Sequence, residues 1–133
     1  MDLKKSKNSS PRIKVIQKLY NSLMNPNSEI DYPKSQYKKF IKDVVTGTLE
    51  RSDLIEEKIN TFLTKDIDLT KTDKLLKIIL FAAIFELMFK HGTPKKVIIN
   101  EYLLASEHFL EKIQTGYLNA ILDKIAKVLR KDE

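Results

Sequence analysis

At 133 residues the chain has the length of one domain that can bury a sizeable core. Hydrophobic residues make up 42% and charged ones 32%, with few glycines and prolines and no cysteine. That balance excludes a β-sandwich, a disordered tail, a disulfide scaffold and a thiolate metal site or nucleophile, and it fits the cytosol. The net charge of +6 is unevenly placed: residues 1–42 hold ten basic and three acidic side chains, so the whole excess sits in the first third and points to a polyanion partner there.

The opening "MDLKKSKNSSPR" has lysines but no apolar run after them, so secretion is not expected and the chain reads as cytoplasmic. Residues 1–9 read as a flexible basic arm, and residues 10–133 as a single all-helical domain. Ser10 and Pro11 start the first helix, whose apolar residues Ile13, Ile16, Tyr20, Leu23 and Met24 recur at helical spacing. "NPNSEIDYP" breaks the chain. A second helix is expected from Lys34 to Glu50, with Gly47 marking a close approach to another helix. A third carries a capping box at Asp53 and Glu56 and ends near Lys65.

A fourth helix, from about Thr72 to Phe89, is apolar on nearly every face and reads as the central element. It holds Lys77 and Glu86 and is too short for a membrane span, so no membrane is expected. Gly92 is expected to end it as a C-cap, with Lys90 and His91 at the negative end of the dipole. The fifth helix runs from Pro94 to Phe109 and the sixth from the "KIQTGY" region through "LNAILDKIAKVL". The fold class is therefore all-α, a compact bundle of about six to seven helices around a buried central one.

The chemistry of small-molecule catalysis is missing from the sequence. His91 and His108 have no second ligand at helical spacing, and there is no phosphate loop or nucleophile elbow, so no metal, no cofactor and no enzymatic activity are expected. Glu86, Asn100 and Glu101 read as structural polar groups bonded between helices. The first helix begins among Lys7, Arg12 and Lys14, the wrong sign for its dipole. A phosphate at that end would supply the missing negative charge. Tyr20 lies on the apolar stripe of the same helix, and its position leaves both a core role and a base-stacking role open.

Five segments recur in order along nearly the whole chain: Arg12, Gln17, Leu19 and Tyr20 as R-x-x-x-x-Q-x-L-Y; "VVTG" at Val44 to Gly47; "LFAAIFEL" at Leu80 to Leu87; "TPKKVIINE" at Thr93 to Glu101; and "YLNAILDKI" at Tyr117 to Ile125. Together they resemble the bacterial transcription antitermination factor family NusB. The resemblance implies an all-helical RNA-binding factor that, with ribosomal protein NusE, binds the boxA element of ribosomal RNA transcripts. With other Nus factors it would keep RNA polymerase elongating through terminators. It implies RNA contacts for Lys4, Lys5, Lys7, Arg12 and Lys14 of the basic start, and for Gln17, Tyr20, Tyr117 and Asn119. It leaves monomer and homodimer both open. Phe81 stands where the family commonly has a basic residue, and Gly116 where one often precedes the aromatic. These departures leave open, as the alternative, an interaction-only helical module with weak or no RNA binding.

Overall fold

Alternation of apolar and polar residues at helical spacing becomes six α-helices in the computed structural model, which describes residues 10–133. They are α1 (Pro11–Met24), α2 (Lys38–Glu50), α3 (Ser52–Phe62), α4 (Lys74–Phe89), α5 (Lys95–Ser106) and α6 (Lys112–Leu129), with one 3-10 turn at Leu69–Lys71 before α4. No strand occurs among the described residues.

Helix α4 is the hub, packing against each of the other five. Its Ile79, Leu80, Ala82, Ala83, Ile84 and Leu87 are fully enclosed, because a helix apolar all round loses water contact only if neighbours surround it. Each large aliphatic side chain buried there contributes about 1.5–3 kcal/mol. Asp73 starts the helix by accepting the amide hydrogens of Leu75 and Leu76 at 3.0 and 3.2 Å. Gly47 of α2 lies against Phe85 of α4, so closely that a Cβ at Gly47 would overlap the ring. The glycine therefore sets the approach of the two helices, as its position in the sequence suggests.

Several boundaries and caps differ from expectation. Helix α2 starts at Lys38, because Ser35 closes a turn after Pro33: its hydroxyl accepts the Tyr37 amide hydrogen at 3.2 Å and its carbonyl that of Lys38 at 3.2 Å. The expected box at Asp53 and Glu56 does not form. Only Arg51 separates α2 from α3, so Asp53 falls inside the first turn, where its charge faces the dipole without capping. A box does form on α6, between Glu111 and Gln114, and α5 stops at Ser106.

Gly92 does not end α4 in a left-handed conformation; no glycine has positive φ among the described residues. The terminal carbonyls are satisfied by the buried Arg130 of α6's C-cap. Its guanidinium donates to the carbonyls of Leu87 at 2.6 Å, Lys90 at 3.0 Å, Glu86 at 3.3 Å and Thr93 at 3.1 Å. A planar fork with five donors does the work that a turn residue does elsewhere.

Candidate nucleic-acid interface

Helix α1 is divided by its own periodicity. Ile13, Val15, Ile16 and Leu19 turn into the core, which leaves Lys14, Gln17, Lys18 and Asn21 along the opposite side. That side forms one wall of a cleft of about 780 Å³. The loop after α1 supplies the other wall with Tyr32, Pro33, Lys34 and Ser35, and Lys38 opens α2 at its edge. Ile41, Leu75 and Phe109 make an apolar base, and Tyr20 lines the cleft half-buried.

Four lysines thus converge on a space that also presents three aromatic rings, and among the described residues no carboxylate lines it. Such a surface attracts a phosphodiester chain by charge and offers flat faces to unpaired bases. Burial pushes the Tyr32 hydroxyl above its ordinary pKa, with a hydrogen bond to Thr46 acting the other way, so it stays a neutral hydroxyl in neutral solution.

Of the residues expected from the sequence, Lys14, Gln17 and Tyr20 meet in this cleft. Lys4, Lys5 and Lys7 lie outside the described residues. Tyr117 and Asn119 are exposed on α6 and do not line it. The Tyr117 hydroxyl is already committed, donating to the backbone carbonyl of Asp66, whose carboxylate pairs with Lys124 at 2.7 Å. Burial, then the neighbouring Asp66, raises the Tyr117 pKa, so it too keeps its proton.

Arg12 corrects the expectation most sharply. Its side chain is buried: Nε donates to Glu86 Oε2 at 3.0 Å and Nη2 to Oε1 at 2.7 Å, and the guanidinium lies 4.9 Å from the centre of the Phe40 ring. The Tyr102 hydroxyl donates to the same Oε2 of Glu86. Burial works against the charge on Arg12, but the hydrogen bonds and attraction of Glu86 outweigh it and hold the pKa above its ordinary value. Burial and the Glu86 carboxylate push Tyr102 well above its ordinary value. The guanidinium fork is therefore used inside the protein, tying the start of α1 to α4 and α5. A phosphate would have to displace Glu86 to reach it.

The structural polar residues are also redistributed. Glu86 is the fully buried carboxylate. The side chain of Glu101 is 39% exposed and stands 3.8 Å from Arg12 Nη1, a loose ion pair at the surface. Asn100 is exposed and forms no hydrogen bond to a neighbouring helix among the described residues, because the inner face of α5 is taken by Ile98, Ile99 and Tyr102. Lys18, Tyr32, Lys34 and Lys38 were missed as site residues. The signal that could have found them was the charge excess itself, which extends to residue 42.

A family model described as "NusB family" matches residues 3–127. The transcription antitermination protein NusB of Rhodopseudomonas palustris (strain HaA2) is 34% identical over 71% of the chain, and the chain spans only 56% of that relative's length. Its counterpart in Rickettsia typhi is 32% identical over 92% of both chains. Among solved structures, that of T. maritima NusB superposes with a TM-score of 0.76 over 88% of both chains at 22% identity, a likeness in fold.

Proposed function

The chain belongs to the NusB family, and from that premise we propose that it is a cytoplasmic, non-enzymatic transcription antitermination factor that binds RNA through the cleft beside α1. The observation that carries the reading is the convergence of Lys14, Lys18, Lys34 and Lys38 on a cleft with Tyr20, Tyr32 and Phe109 and, among the described residues, no carboxylate in its lining. Charge without a matching internal partner is a standing cost in self-repulsion, which a polyanion relieves. The aromatic rings favour single-stranded over duplex RNA, because only unpaired bases present a free face to stack.

Within this reading the RNA is the boxA element of a ribosomal RNA transcript, and ribosomal protein NusE binds with it. Other Nus factors and RNA polymerase complete the assembly. Lys4, Lys5 and Lys7 add charge along the RNA backbone. Tyr117 and Asn119, exposed on α6 and outside the cleft, are further contacts in this reading. The test is filter binding of boxA RNA and of a scrambled RNA of equal length, each with and without NusE. Preference for boxA, strengthened by NusE, supports the reading. Equal weak binding of both RNAs under all conditions would leave the interaction-only module instead.

A further inference from the structure

The opposite flank of α1 presents different chemistry. Where the C-terminal half of α1 meets the end of α2 and the first half of α4, a groove of about 410 Å³ opens between them. Leu23, Leu49, Ile78 and Phe81 wall it, with Leu23 52% and Leu49 43% exposed. Phe81 extends this apolar wall at the position where the sequence departs from its family's usual basic residue. Lys74 and Lys77 stand at the rim, one helical turn apart, and among the described residues no acidic side chain lines the groove.

We propose that this groove seats an amphipathic helical segment of a protein partner, with apolar side chains on its inner face and carboxylates flanking them. The argument is one of complementarity. Large aliphatic side chains left in water favour an apolar occupant, and the two rim lysines select the sign of its flanks. Both lysines lie in the first turns of α4, where the helix dipole is also positive and the Asp73 carboxylate is occupied in capping.

The alternatives fit less well. A second copy related by a two-fold axis through the groove would bring Lys74 and Lys77 towards their own symmetry mates. An extended strand would need a sheet edge to pair with, and the groove is bounded by helices. RNA would find one ring in place of the three aromatic rings of the cleft across α1, and two lysines in place of four, with Ser22, Thr48 and Ser52 the other polar side chains lining it. The proposal does not depend on RNA binding, since the groove and the cleft draw on different faces of α1, α2 and α4 and share no lining residue.

The experiment titrates the isotopically labelled full chain with a synthetic helical peptide that carries leucine at i, i+4 and i+7 flanked by glutamate, and with the same peptide bearing lysine for each glutamate. Saturable amide shifts confined to the neighbourhood of Leu23, Leu49 and Ile78 are expected with the acidic peptide, and binding about tenfold weaker with the basic one. Leu49→Glu should abolish the shifts, and Lys74→Glu/Lys77→Glu should reverse the preference between the peptides without touching the apolar walls. No saturable shift, equal affinity for the two peptides, or shifts centred on the cleft would overturn the proposal. So would a concentration-dependent dimer in sedimentation that Leu49→Glu dissolves, since a second copy would then be the occupant. Retention of boxA RNA binding by Leu49→Glu keeps this test separate from that of the RNA reading.

Discussion

Replacing Lys18 and Lys34 by glutamine removes half of the positive charge that lines the cleft while leaving its aromatic rings in place. On a single-stranded nucleic acid each neutralised phosphate contributes about −0.7 to the slope of log affinity against log salt. Four cleft lysines therefore give about −2.8, and raising salt from about 50 to about 200 mM should weaken boxA binding about fiftyfold. If Lys4, Lys5 and Lys7 also contact phosphates, the slope steepens by up to about 2. The double substitution should make it shallower by about 1.4. Thermal stability should barely move, because neither lysine has an ion-pair partner among the described residues. Arg12→Gln is the contrasting variant, expected to lower stability and to leave the slope unchanged, since its fork is spent on Glu86. Fluorescence anisotropy of labelled boxA RNA over a series of salt concentrations measures all three slopes. A slope near zero for the intact chain, or one that Lys18→Gln/Lys34→Gln fails to change, would remove the cleft from the binding surface.

Five further outcomes follow from the same structure. Glu86→Ala strands the Arg12 guanidinium and should cost about 3–5 kcal/mol in denaturant unfolding, whereas Glu101→Ala, half in solvent, should cost less than about 1 kcal/mol. Tyr20→Ala should weaken RNA binding by about 1–3 kcal/mol without altering the salt slope; Tyr117→Phe loses only the bond to the Asp66 carbonyl and should cost about 0.5–1.5 kcal/mol of stability. Tyr102 has a folded pKa above its unfolded value of 10.0, so the unfolded chain gives up this proton first. Stability should fall as pH rises above about 10, a loss that melting curves of Tyr102→Phe should show in reduced measure, since Tyr32 and Tyr117 are also raised. Gly47→Ala forces a methyl group into the Phe85 ring and should destabilise by about 1–3 kcal/mol despite the better helix propensity of alanine, as a melting curve would show.

The apolar spacing of each segment showed that helices form and, for most of their residues, which side turns inward, because a 3.6-residue stripe is a local property of the chain; Leu23 and Met24, on the expected stripe of α1, stay exposed. Isoleucines 13 and 16 of α1 and the all-apolar run of α4 needed no partner to be recognised. The excess of lysine before residue 43 likewise foreshadowed the lysine-lined cleft, since charge adds regardless of the path of the chain between. Pairing was another matter. Arg12 and Glu86 are 74 residues apart, and Arg130 reaches carbonyls more than 35 residues before it. Nothing in either neighbourhood says whether a guanidinium will meet solvent, phosphate or a buried carboxylate, because that depends on which helices the core brings together. The same holds for the cleft: Lys14, Lys34 and Phe109 become neighbours only when α1, its following loop and the turn after α5 close around Leu75. Local spacing could therefore say that α1 has a polar face, and only the packing of the helices decided that Arg12 lies beneath it while Lys14 and Lys18 remain free to meet a ligand.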